Sequence, residues 1–443
     1  MRKKLIIAPL AAAALLLSGC TAGIGGGGNT DGGEDDKTPV EITMWSFFGD
    51  REKDVIDARL EAFTEEYPWI TVDHVGGQND DTLLQAVRGG TGPDLALSGN
   101  SEAVSSYCST GVFEDLQSYI DESEVDIDQI LPSTLAYTSY EDTRCALPVL
   151  ADVYGLYYNT DVFAEAGITE PPTTWDELAE DAKALTVFNA DGSIQRAGFV
   201  PFLDFFENNV ATWTPGWDLT WYDDSGLAAM ADDPQWAAML EWQKELVDWY
   251  GYDNLQRYVS TIGGEFTAEN PFHTGQLAMM VDGEWRVAFA ADQAPDLAYA
   301  TAPIPNVNED EYGAGIISGT TVGIPRGSNY PEAAWLLARY LATDTDNLVQ
   351  LTLELRNVPT TTDALADDEV RTIEQFNTML DIAGNEATRS VPGTPAGAAP
   401  RELLSQFAQG WQAGSATDLQ GGLEDVAAQI DSQIEQAAGG NAP

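Results

Sequence analysis

From residue 40 onward the hydrophobic period of the chain changes every few residues, and that alternation restricts the folds open to it. VEITMW alternates apolar and polar residues as a half-buried strand does, and DVIDARLEAFTEEY sets Ile56, Leu60, Phe63 and Tyr67 on one helical face. ITVDHV reads as a second strand, TLLQAVRGG as a short helix closed by glycine, and PDLALS as a third strand. Strand and helix in turn predict βαβ units with a parallel sheet, an α/β architecture. Ligands of such sheets lie beyond the carboxyl ends of the strands, where Trp45, Phe47, Ser98 and Asn100 fall. Asp50 stands where a helix N-cap belongs.

The pattern continues well past one core. LPVLADVYGLYYN is strand-like, and TTWDELAEDAKALT opens with Thr174 and Glu177 in capping-box spacing before Leu178, Ala182 and Leu185. With 443 residues the chain exceeds the size at which a single core stops growing, so a second lobe is expected to begin here. FLDFFENNVATWTPGWDLTWY crowds Trp213, Trp217 and Trp221 into a stretch with neither helical nor strand period. FHTGQLAMMVDGEW closes the second sheet and presents Trp285 at its end. GTTVGIPRGSNYPEAAWLLARYLAT gives a strand, a loop and a helix with Pro331 in its first turn. The tail from Arg401 carries Leu403, Leu404, Phe407 and Trp411 at helical intervals.

The N-terminus is a separate unit. Arg2, Lys3 and Lys4 precede an apolar run to Leu17 and then Ser18-Gly19-Cys20, the layout of an export signal over residues 1–19. LSGC resembles the bacterial lipobox, which implies that Cys20 is diacylated and holds the protein on a membrane. Residues 20–38, rich in Gly and acidic groups, are expected to form a flexible linker. Gly23, Gly25 and Gly28 have GxGxxG spacing there, but no strand precedes and no helix follows, so a dinucleotide site is excluded.

Loss of the leader leaves 17 basic against 72 acidic side chains, a formal charge of −55 that repels nucleic acid. Cys108 and Cys145 are an even pair in an exported chain and are expected to form a disulfide. The only histidines, His74 and His273, lack any paired-ligand spacing, so neither a metal nor a cofactor is expected.

Four stretches carry a resemblance to one family: TMWSFFGDREKDVIDARLEAFTEEYPWITV, LPVLADVYGLYYNTDVFAEAGITEPPTTWDELAEDAKALT, FHTGQLAMMVDGEW and GIPRGSNYPEAAWLLARYLAT. In order and spacing the chain resembles the extracellular solute-binding proteins of ATP-driven (ABC) importers, in the carbohydrate-binding group of maltose-binding type. The resemblance implies two discontinuous α/β lobes joined by a hinge, the class II periplasmic-binding-protein fold. It places 39–152 with 320–360 in the first lobe and 153–319 with 361–443 in the second. It also implies a monomer that passes a carbohydrate to permease subunits on the extracytoplasmic face of the membrane and performs no chemistry.

A sugar offers C–H bonds on its faces and hydroxyls around its rim, so a site needs flat rings together with paired donors and acceptors. By resemblance Trp285 is a stacking platform, and Asp50, Arg51, Ser98, Asn100 and Asp152 hydrogen-bond hydroxyls. Asp204 and Phe206 match more loosely an acidic-aromatic pair of the second lobe, and Trp45, Trp213, Trp217 and Trp221 are further candidate platforms. Where some relatives have a tryptophan followed by an Asp-Arg pair, this chain has SGNSE, which argues against maltose itself. Two other readings stay open. The same fold could hold a polyamine or other organic cation on its carboxylates and rings, or the chain could be an exported glycoside hydrolase with two carboxylates flanking a cleft.

Overall fold

A computed structural model describes residues 33, 34 and 37–440. The expected leader, Cys20 and most of the 20–38 linker lie outside the described residues.

The chain opens with β1 (Val40–Trp45), α1 (Asp50–Glu66), β2 (Ile70–Val75), α2 (Asp80–Arg88) and β3 (Leu95–Ser98), and β1 pairs in parallel with both β2 and β3. Then follow α3 (Val104–Thr110), β4 (Leu147–Asn159), α4 (Trp175–Leu185), α5 (Pro234–Tyr250), β5 (Met279–Gly283), α6 (Arg286–Gln293), β6 (Tyr299–Ala302) and β7 (Ile317–Gly323). α7 (Pro331–Thr343), α8 (Thr345–Leu355), β8 (Val358–Pro359) and α9 (Ala399–Gln412) complete the elements that position the site. The main sheet runs β6-β4-β7-β3-β1-β2, with β5 and β8 also paired to β4.

The expected parallel pairing holds for β1 to β3 and is corrected beyond them. β7 is antiparallel to β3 and β4, and β5, β6 and β8 are antiparallel to β4. These strands return to the sheet from distant parts of the chain, so crossing segments set their direction, and no local βαβ unit does.

β4 organises the molecule. Its almost wholly buried run suits a central strand. Leu147, Val149 and Leu150 pack with α1, Ile324 and Trp335 in one core, whereas Val153, Leu156 and Tyr157 pack with Trp213, Trp236 and Phe272 in another. Its first half pairs with β7 and β8 and its second half with β5 and β6. α8 divides likewise: Leu351 and Leu355 enter the first core, Leu348 and Val349 the second. In β7 a register shift follows Gly319, whose φ of 147° and 2.2 Å approach of a would-be Cβ to Leu150 O admit only glycine.

Several local expectations meet their structural outcome here. Thr174 Oγ1 accepts from the Glu177 amide at 3.2 Å and Glu177 Oε2 accepts from the Thr174 amide at 3.2 Å, a complete capping box for α4. Asp50 is not the N-cap of α1; that residue is Gly49, and Asp50 has a φ of 43° and an exposed side chain. Cys108, on α3, is bonded to Cys145 just before β4, with Cα atoms 5.3 Å apart. Among the described residues no helix is long and apolar enough to cross a membrane.

Candidate functional site

Where β4 passes between the two cores, three segments meet on a buried polar knot. Asp152, in β4, accepts from Asn357 Nδ2 at 3.0 Å, and the same amide donates to Glu284 Oε1 at 2.7 Å. Glu284 Oε2 accepts from the Val153 backbone N–H at 2.8 Å. The register Tyr154↔Gly283 brings the end of β5 against β4, and Asn357 arrives as the residue before β8. Burial pushes Asp152 up to about 6, against the favourable Asn357 contact, and burial together with the Asp152 charge drives Glu284 well above the usual carboxylate range.

Trp285 follows directly. A Cβ on Gly283 would lie 2.4 Å from the indole, so glycine there lets the ring fold back over the strand end. The half-buried indole meets Tyr154 edge to face, with centroids 5.9 Å apart and planes at 89°. Its N–H faces the carboxyls of Glu265 and Asp282 and favours their charged forms, and Asp282 Oδ2 takes the Nε–H of the buried Arg286 at 2.7 Å.

Two cavities open beside this knot. The larger, about 590 Å³, is walled by Phe47, Asp50, Arg51, Trp285 and Phe289, and the smaller, about 260 Å³, by Asn100, Glu102, Tyr137, Tyr154 and Arg401. Gly99, Asp152 and Glu207 line both, so the cavities adjoin. The larger lies within the range of about 300–1,000 Å³ of small-molecule sites. In the lining of the smaller one Arg401 pairs with Glu102, its Nε 2.8 and 3.0 Å from the two carboxylate oxygens. Burial first, then the charges of Glu265, Asp282 and Asp152, push Glu207 up to about 8.

Of the residues expected at the site, Phe47, Asp50, Arg51, Asn100, Asp152 and Trp285 are brought together around these cavities. Arg51 also donates from Nη2 to Glu354 O at 2.6 Å. Ser98 is buried behind them and accepts from the Asn100 amide at 3.1 Å. Trp45 packs half-buried against the small core around Leu83 and Tyr107. Asp204 is exposed and within 3.5 Å of Gln412 Nε2, and Phe206 stacks on Phe205 at 4.1 Å; neither lines either of these two cavities.

The tryptophan loop is a correction. Trp213, Trp217 and Trp221 are 0, 7 and 2% exposed and belong to the second core. Trp217 stacks on Trp175 at 5.1 Å, Trp213 lies 4.8 Å from the same ring, and Trp221 Nε1 donates to Thr214 Oγ1 at 3.0 Å. They are too deeply packed to serve as platforms.

Sequence reasoning missed Glu207, Glu284, Asn357, Tyr154, Tyr137, Glu102 and Arg401. Glu284 adjoins Trp285 and Glu207 adjoins Phe206, so the sequence pattern points to the right segments but to neighbouring residues within them. Asn357 and Arg401 carry no local signal.

The two cavities are lined by aromatic rings together with carboxyl, amide and guanidinium groups, and, among the described residues, no cluster is able to hold a metal ion. The chain is similar to the maltotriose-binding protein of Pyrococcus abyssi, with 23% identity over 338 residues, 75% of this chain and 69% of that protein. Its fold is similar to CpMnBP1 solved with mannotriose bound, at a TM-score of 0.78 and 22% identity over 88% of this chain and 99% of that one. It is similar also to the sugar-binding protein MalE of Xanthomonas citri, at a TM-score of 0.74 and 17% identity over 90% and 98%. The profile of the family described as bacterial extracellular solute-binding protein matches residues 58–378, and with most of its length so matched the chain belongs to that family.

Proposed function

We propose that this protein captures a carbohydrate between two lobes, 39–152 with 320–360 and 153–319 with 361–443, and delivers it to the permease of an ABC importer. The observation that carries this reading is Trp285, half-exposed at the end of β5 over a cavity of about 590 Å³. Indole offers the flat apolar face that sugar C–H bonds need, and Asp50, Arg51, Asp152 and Asn357 around the same cavity offer the acceptors and donors that its hydroxyls need. Unpaired hydroxyls would each cost about 1–3 kcal/mol, so these polar groups set selectivity. β4, which enters both cores, is the natural hinge. The maltotriose named for the Pyrococcus abyssi relative and the mannotriose bound to CpMnBP1 support an oligosaccharide guest. The protein works as a monomer tethered through lipid on Cys20 at the outer face of the membrane, and it catalyses no reaction.

The test is calorimetric titration of the purified chain with neutral mono- and oligosaccharides, paired with thermal melting. A ligand at a hundredfold excess over its Kd adds about 2.7 kcal/mol of stability, a readily seen rise in midpoint. If no saccharide evolves heat or raises the midpoint, the reading falls. Retention of the chain in the aqueous phase of a detergent partition, with no change on Cys20→Ala, would remove the lipid tether.

A further inference from the structure

We propose that the captured saccharide carries a protonated amine, seated against the Glu207 carboxylate where the two cavities meet. This rests on the carbohydrate reading above and names the chemical class of its guest.

Glu207 faces both cavities, and among the described residues no group donates a hydrogen bond to its carboxylate. The cations near it are engaged elsewhere. Arg401 is held by both oxygens of Glu102, and Arg51 reaches the Glu354 carbonyl. The rest of the cavity lining deepens the imbalance: Asp50, Glu52, Asp152 and Asp292 line the larger cavity with Arg51 as its one cation. Burial and neighbouring acids push Glu207 up to about 8, and Arg401 offsets them only in part, so in the empty cleft this carboxyl keeps its proton at neutral pH and gives it up when a cation is seated beside it. An ammonium group on the guest supplies the missing charge through a charge-assisted hydrogen bond. The indole of Trp285 in the same cavity attracts a cation as well as C–H bonds.

The smaller cavity argues that the guest is more than an amine. Tyr137, 4% exposed, lines it with an O–H that has no partner among the described residues, and Asn100 adds an amide. A buried hydroxyl without a partner is costly. The ammonium groups of a bare diamine can donate to its oxygen but accept nothing from its O–H, whereas a sugar hydroxyl can do both. Rings, hydroxyl partners and an unmatched carboxylate together describe an amino sugar.

Calorimetry on the purified full-length chain decides the matter, comparing a glucosamine disaccharide with its N,N′-diacetyl counterpart at neutral pH and at low and high ionic strength. The amine form is expected to bind about tenfold tighter or more, and to weaken with salt while neutral saccharides do not. Glu207→Gln should remove the difference, with circular dichroism and melting confirming a folded variant. Equal or tighter binding of the acetylated form overturns the inference. Binding of neutral saccharides alone also overturns it and leaves the carbohydrate reading standing. Binding of no saccharide, with or without an amine, overturns both.

Discussion

The backbone N–H of Val153 donates at 2.8 Å to the side chain of Glu284, 131 positions further along the chain. Both Glu284 oxygens act as acceptors, Oε2 from Val153 and Oε1 from Asn357. A glutamine has one acceptor and must point its NH₂ at one of these donors. Glu284→Gln is therefore expected to destabilise the protein by about 1–3 kcal/mol, read as a lower urea midpoint with an unchanged m-value. An unshifted midpoint would mean that the knot does not brace β4.

The carboxyl groups of this region make stability depend on pH with a definite sign. Burial raises Asp152 to about 6, Glu265 to about 7 and Glu207 to about 8, all above the values of an unfolded chain. Between about pH 4 and pH 8 the folded state then holds protons that the unfolded state has released. Their contribution is full at the acid end and is lost as pH rises through the folded values. His74 and His273, both lowered by burial, act in the opposite sense below about pH 6.5, so the thermal midpoint of the ligand-free protein should fall from about pH 6.5 to pH 8, and Glu207→Gln should flatten that fall. A midpoint that rises from about pH 6.5 to pH 8 would contradict the assignment.

Two tryptophans separate binding from folding. Trp285→Ala removes a half-exposed ring from the cleft wall and is expected to weaken saccharide binding roughly tenfold while the protein stays folded. Trp213→Ala empties a fully buried site beside Trp175 and Trp242, at a cost of about 3–5 kcal/mol of stability. Titration calorimetry and denaturant melts on both variants check the contrast; equal loss of stability in the two would refute it.

The same pair shows what the sequence could tell. Capping at Thr174, the apolar face of α1 and the strands β1 to β3 were legible because each is written within a few residues. The aromatic loop was not: without a period, rings that face a cleft and rings that fill a core look alike, and only the stack of Trp217 on Trp175 distinguishes them. Asn357 lies 205 positions from Asp152, and Glu284 acquires its role from the register of β5 on β4. Such roles exist only after the chain has crossed between its cores. The direction of β7 was hidden for the same reason.

The last prediction concerns the ion pair in the lining of the smaller cavity. Glu102 lies in the turn before α3, Arg401 in the first turn of α9, and the Arg401 Nε–H is shared between both Glu102 oxygens, both side chains being partly buried. Burial raises Glu102, and the guanidinium offsets that only in part. If the pair holds the cleft shut around its guest, breaking it should act on escape more than on entry. Glu102→Gln and Arg401→Gln are each expected to speed ligand dissociation, with association little changed, because interface substitutions act mostly through off-rates. The double variant should lose less than the sum of the singles, with a coupling of roughly 0.5–3 kcal/mol. Stopped-flow following of tryptophan fluorescence, with Trp285 in the cavity wall as a reporter, measures both rates. Strict additivity of the two substitutions would mean that the pair does not act as a latch.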